Sequence, residues 1–303
     1  MSDQVEKGGR VTEEDITSAP RLRDAEWNFE RIWRKGRYAV ITIINLTIFS
    51  FLWEWFGAWY DNEAFFPRFS SMLDALAIGW FGGGTDTTNA TYDLLQDFVI
   101  AKNFWVTVEV YVVGLLIAVV VGIPIGLAMG GSKWMDAIFS PYVWTLSSLP
   151  RIAIFPVLIL FLGLGDTIKY ALVILTAIFP VIINTWAGVK TTEQSLINAA
   201  KVFGANKAQI YRKVVLPYTL PFVVSGIQLG LSRGLVGVVI AEFLTGASKD
   251  GGLGWLVFRA ARGFNGALTY AALVSLAIFA LIMVQGTRSA EAWIAPWRQV
   301  SKT

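Results

Sequence analysis

The sequence predicts an all-α integral membrane protein with six transmembrane helices, and three observations point there. Hydrophobic residues make up 55% of the chain and charged residues only 16%, so much of the surface needs a lipid solvent. Several apolar runs reach the roughly 20 residues a helix needs to cross a bilayer. Lysines and arginines are also spread unevenly between alternate connecting segments.

Taken in order, residues 1–37 form a tail. Residues 1–23 mix Gly, Ser, Thr and charges without periodicity and read as flexible. Between 24 and 37, Trp27, Phe29, Ile32 and Trp33 stand among Arg31, Arg34, Lys35 and Arg37. That stretch reads either as a helix in the headgroup region or as an ordinary positive flank. The first span covers 38–57, its apolar run beginning too late for a cleaved leader. Residues 58–100 hold Pro67, a Gly82-Gly83-Gly84 break, Asp74, Asp86, Asp93 and Asp97, and read as extracytoplasmic. Short helical patterns at 69–80 and 91–100 look interfacial or extracytoplasmic, and Gly82 to Ala90 an insertion loop.

Residues 101–288 form the expected membrane core. The second span, 103–130, is longer than a bilayer requires and so is tilted. Its Gly122, Gly126 and Gly130 recur every four residues, a spacing that permits close helix packing. The third span, 137–163, contains Pro141, Pro150 and Pro156; breaks there require that the freed backbone be buried in protein or face a wet cavity. Spans at 168–188, 219–246 and 267–287 follow, with a polar loop at 190–217. Residues 289–303 are a second tail, which Trp293 and Trp297 anchor at the interface.

With the N-terminus inside, 17 of the 25 basic residues fall on inside segments and 6 on outside ones. Arg151 and Arg233 lie within spans. Positive residues accumulate on the cytoplasmic side, so both termini and the 190–217 loop are placed there.

That loop organises the chain. Leu196, Ile197, Ala200 and Phe203 recur at helical spacing, and Gly204 can take the left-handed conformation that ends a helix. A second short helix carries Ile210, Val214 and Val215 to one side, and Pro217 blocks its extension unless the chain turns. The outcome is a helix–glycine–helix module bearing Lys201, Lys207, Arg212 and Lys213, too charged to lie in lipid. Ala199 and Ala200 are its small contact points.

The module has a known counterpart. Asn198-Ala199-Ala200, Gly204 four residues on, then nine residues and Val214-Val215-Leu216-Pro217 resemble the E-A-A…G…I-x-L-P coupling loop of ATP-binding-cassette importer permeases. The likeness extends over Phe66 to Gly286, including Ser148-Leu149-Pro150-Arg151-Ile152-Ala153, Leu162-Gly163-Leu164-Gly165, Ala241-Glu242 and Gly252-Leu253-Gly254. It looks most like the nitrate/sulfonate/taurine type. Asn198 stands where that family usually carries an acidic residue.

The resemblance implies a type I importer permease with cytoplasmic coupling helices, in a prokaryotic plasma (inner) membrane. Asn198, Ala199, Ala200, Phe203, Gly204, Val214, Leu216 and Pro217 would dock on the ATPases. The implied partners are a second permease copy in a homodimer, two cytoplasmic ATP-binding-cassette ATPases and an extracytoplasmic solute-binding protein, with no nucleic acid. ATP and Mg would sit on the ATPases and no cofactor on this chain.

Charges within spans cost about 2.5–3.5 kcal/mol each on insertion scales, so each needs a reason. On the fifth span Ser225, Gln228 and Ser232 fall within about 60° of one another, and Gly226, Gly230, Gly234 and Gly237 form a separate smooth stripe. Arg233 lies between the two, and Glu242 about half a turn from it. In one reading Arg151 and Arg233, with the polar strip, line a passage for an anionic solute. In the other they pair with Glu109 or Glu242 or satisfy carbonyls freed at Pro150. Glu242 is read first as a structural partner and second as part of the passage.

Composition removes several chemistries. The chain has no cysteine and no histidine, which excludes disulfides, zinc sites built on those ligands, and histidine acid–base catalysis. No G-x-x-x-x-G-K-[ST] occurs. A membrane enzyme would need a carboxylate or serine site, and Glu109 and Glu242 form no evident pair. The competing transport reading is a self-sufficient secondary transporter or channel, under which the loop spacing has no explanation.

Overall fold

The computed structural model describes residues 20–82, 98–245 and 251–294, with only the backbone path for 20–36, 39, 151 and 287–294. Among the described residues every regular element is helical. The flexible reading of 1–19, the insertion loop from Gly83 to Ala90, the pattern over 91–97 and the anchors Trp293 and Trp297 fall outside what is described. The chain divides into two units, Met1–Tyr60 and Asp61–Thr303.

In the first unit, α1 (Pro20–Tyr60) is one continuous helix whose apolar part runs Val40–Tyr60. Its large side chains stand exposed, as suits a lipid-facing surface. The polar side chains turn back on their own helix: Thr42, Asn45, Thr47 and Ser50 each donate to the carbonyl four residues earlier. No hydroxyl or amide is left unsatisfied toward lipid by those four.

The second unit contains α2 (Phe69–Phe81), α3 (Val99–Gly131), α4 (Lys133–Ser148), α5 (Arg151–Leu162), α6 (Asp166–Lys190), α7 (Gln194–Val202), α8 (Lys207–Ile210), α9 (Leu216–Thr245), α10 (Leu253–Arg262) and α11 (Gly266–Ile294). Long α3 and α9 both pack on α6, and glycine is the means. A Cβ on Gly126 of α3 would lie 2.7 Å from the Ile182 carbonyl oxygen and from Thr185 Cβ of α6. On α9, a Cβ at Gly230 would lie 3.0 Å from the Ala177 oxygen. Both small-residue stripes therefore serve helix packing, as their spacing predicts.

Aromatic side chains fill the space where the helices diverge. Trp80 donates to Ser275 Oγ at 3.1 Å and packs on Phe104, which meets Phe279 edge-on, and Phe279 meets Tyr111. The phenol of fully buried Tyr111 donates to the Leu231 carbonyl at 3.0 Å, so a polar group enters the core with its partner.

Two regions take a definite form. The pattern at 69–80 is a helix packed into its unit: Met72 and Ala75 are buried with Ile100, Leu256 and Leu268. The third span is bent by 109° between α4 and α5. Leu149 and Pro150 are both extended there, because a residue before proline is pushed out of the helical region. Pro141 and Pro156 stay inside helices, each removing one amide donor.

Gly126→Leu should force α3 and α6 apart at a cost of about 1–3 kcal/mol. Gly286→Leu, on α11 with nothing within 4 Å of its Cβ position, should be neutral. Thermal melts of the detergent-purified protein would separate the two.

Candidate functional site

The module between α6 and α9 is built by local hydrogen bonds. Gly204, at φ +77°, donates to the Lys201 carbonyl at 2.9 Å, and Ala205 to the Ala200 carbonyl at 3.0 Å. That pair of bonds closes the end of α7 in a Schellman arrangement. Asn206 and Gln209 then cap α8 reciprocally, both bonds at 2.9 Å, which satisfies two of its free amides.

The module is held to the membrane helices by its own small core. Val189, Ile210 and Val215 are buried, with Ile197, Ala200, Ala205 and Val214 packed around them. Tyr211 donates to the Leu127 carbonyl of α3 at 3.1 Å. Only part of the predicted apolar face is consumed in this way. Ile197 and Ala200 point inward, whereas Val202 is 85% and Phe203 88% exposed. Ala200, expected as a docking contact, thus also supports the module from inside. Asn198 is exposed and accepts from Gln194 Nε2 at 3.1 Å.

The expected stop at Pro217 does not occur. Residues Tyr211–Val215 form a π turn, in which Leu216 donates to the Tyr211 carbonyl, and α9 continues directly from it. The wider turn shifts the hydrogen-bond register just before proline, where an ordinary helix would meet the ring with a carbonyl. Lys207 to Thr245 is therefore one apolar helical span of 39 residues, joining the module to the polar strip.

The strip is assembled as its spacing predicts. Ser225, Gln228 and Ser232 line one recess of about 300 Å³, together with Leu229, Leu235 and Met283. Arg233 lines a neighbouring recess of about 250 Å³, and Leu229 borders both. Arg151 is the first residue of α5, immediately after the bend; its side chain lies outside the described set.

Glu242 belongs elsewhere. It is fully buried, accepting from Thr107 Oγ1 at 2.8 Å and from the Gly254 amide at 2.7 Å. Asn103 Oδ1 accepts from the Gly252 amide at 2.9 Å and Thr107 Oγ1 from the Leu253 amide at 2.8 Å. Three side chains from α3 and α9 thus cap the start of α10, where free amides point out of a helix. Gly252 sits at φ +87°, and a Cβ there would collide with the Glu242 carboxylate. This explains why Ala241-Glu242 and Gly252-Leu253-Gly254 belong together.

Sequence reasoning missed the other members of such clusters. Asn103 and Thr107 are polar and four residues apart on an apolar helix, a signal that was available. Lys169, counted among the outside flanking charges, is fully buried and pairs with Asp166 at 2.8 Å. At the other end of α6, Asp136 accepts from Trp186 and pairs with Lys190, both at 2.8 Å, tying α4 beside the module. Among the described residues no group of acidic side chains is placed to hold a metal ion.

Residues 118–298 match the model of a protein family described as the binding-protein-dependent transport system inner membrane component. The chain belongs to that family. It is a permease subunit of an ATP-binding-cassette transporter, which sets aside the self-sufficient secondary transporter. The taurine transport system permease protein TauC of Escherichia coli is 28% identical to this permease over 88% of this chain and 92% of its own. A putative aliphatic sulfonates transport permease protein, SsuC of Bacillus subtilis, is 30% identical over 61% and 66%. Among solved structures, the MetNI methionine ABC transporter in inward-facing conformations shares the fold at a TM-score of 0.57 and 21% identity, covering 65% of this chain and 96% of that one. Among the described residues five helices are long and apolar enough to cross a membrane, six with the bent pair counted as one span.

Glu242→Ala should leave the buried Gly254 amide unmet, at about 1–3 kcal/mol, while the Thr107 hydroxyl keeps the Asn103 carbonyl at 3.2 Å. Glu242→Gln, which keeps one carbonyl oxygen, should lose less. Comparing thermal midpoints of the two variants checks the cap.

Proposed function

We propose that this permease carries a small anionic solute, of the nitrate, sulfonate or taurine kind, into the cytoplasm, and that the α7–α8 module is where partner ATPases grip it. The observation that supports this best is the bare apolar corner at Val202 and Phe203. It stands on a module whose own core and caps are complete, so the corner is surplus to folding and suited to a partner's groove. The basic residues around it agree with a cytoplasmic position, both chain termini included.

The connectivity supports the following transport cycle. Two ATPases, holding ATP and Mg, close on nucleotide and displace the docked modules of two identical permease copies. Each module continues as one helix into the strip at Ser225, Gln228 and Ser232, about 39 Å from Lys207 to Arg233 at 1.5 Å per residue. Displacing one end of that lever reorients the strip, and the spans exchange inward-open for outward-open arrangements. Nucleotide shifts this equilibrium only through contacts that differ between the two states. An extracytoplasmic binding protein delivers the solute to the outer face. The cationic Arg233, and Arg151 after the bend, favour an anion there.

Phe203→Asp leaves the module's core untouched and should weaken ATPase association about thirtyfold, since a buried aromatic anchor contributes about 2 kcal/mol or more. ATP-driven uptake should be lost with it. Normal copurification and uptake in that variant would overturn the docking role. Sidedness has a direct test, because the chain has no cysteine of its own. A Lys201→Cys variant should react with a membrane-impermeant maleimide in inverted vesicles and not in intact cells.

A further inference from the structure

We infer that the permease holds its own solute station, the Arg233 recess, and that it accepts an organic anion of single charge with an apolar body while refusing a zwitterion. This inference rests on the reading of the chain as an importer of a small anion and narrows it.

The recess lies where three helices meet. Ser147 comes from the last turn of α4, Phe179, Ile183 and Asn184 from α6, and Leu229 and Arg233 from α9. Its walls are mainly apolar, so a hydrated inorganic anion would gain little from them. Its volume of about 250 Å³ exceeds the about 150 Å³ that suffices for benzene in an apolar protein cavity. A ring or short alkyl chain fits, with a charged head at the guanidinium.

Charge number sets the selectivity. Arg233 makes no ion pair or hydrogen bond among the described residues, so its fork of donors is available to a sulfonate or carboxylate. Neither this recess nor its neighbour is lined by Asp or Glu. Asn184 donates to the Pro180 carbonyl at 2.8 Å and Ser147 to the Trp144 carbonyl at 3.0 Å, so neither offers a counter-charge. An ammonium on the solute would meet no carboxylate among the lining residues and would stand beside a cation of like charge. The buried carboxylate of Glu242 is already engaged with α10.

The test is equilibrium binding of radiolabelled hexanesulfonate to the permease reconstituted with its ATPases in nanodiscs, without binding protein. Saturable binding is expected, displaced by hexanoate and at least tenfold less well by taurine or nitrate. Arg233→Gln should weaken it about tenfold or more, as a lost charged hydrogen bond does, and Arg233→Lys should recover most of the loss. Equal displacement by taurine, or unchanged binding by Arg233→Gln, overturns the station. The two readings fail separately. Phe203-dependent uptake without Arg233-dependent binding refutes the recess and leaves the importer. Arg233-dependent binding with normal transport by Phe203→Asp supports the recess and refutes the docking module.

Discussion

The close approach of α3 and α9 to α6 is the constraint on which the rest of the molecule depends. In hydrocarbon, water cannot be expelled from between helices to drive them together, so association relies on packing and internal hydrogen bonds. Glycines at 126, 226 and 230 bring backbone against backbone, and β-branched side chains of α6 such as Val181 and Thr185 fill the seams. With both neighbours seated on α6, the rotation of α9 about its axis is fixed. That rotation decides which residues face a partner helix and which face the recesses: Gly226 and Gly230 go in, Ser225, Gln228 and Arg233 go out.

The same seating creates the polar clamp at the far end of α9. Glu242 arrives beside Asn103 and Thr107 because α9 and α3 share a support, and together they offer three acceptors to three consecutive amides. A buried carboxylate is expensive unless its hydrogen bonds are made. Here the same bonds also cap α10, so one set of contacts answers two demands. At the near end, Asp136, Trp186 and Lys190 form a smaller clamp beside the module. The lever from Lys207 to Thr245 is thus held at its middle by glycines and tied at its outer end. Its basic end rests on the small core of Val189, Ile210 and Val215 and carries the exposed corner at Val202 and Phe203 just before it.

The division of roles along that helix has a functional consequence. Packing residues and strip residues lie on one continuous rod that begins at Lys207. The docking corner at Val202 and Phe203 joins it through the short link 204–206, which is closed by the bonds at Gly204 and Ala205 and by the Asn206–Gln209 caps. The π turn at Tyr211–Val215 is what preserves continuity past Pro217.

The sequence by itself determined the spans of α3, α6, α9 and α11, both glycine stripes and the helix–glycine–helix module with its family likeness. These rest on periodicity, on apolar length and on the left-handed turn at Gly204, all properties of neighbouring residues. It also separated the strip at Ser225, Gln228 and Ser232 from the glycine face, since rotation per residue fixes that angle. Only the tertiary structure decided that Phe69–Phe81 joins the core, that Lys169 is buried while its partner Asp166 stays exposed, and that Glu242 caps α10. Those outcomes depend on which distant segment arrives beside a given side chain. A carboxylate in a span carries the same local signature whether it meets a solute or a threonine hydroxyl and a backbone amide from a segment twelve residues later.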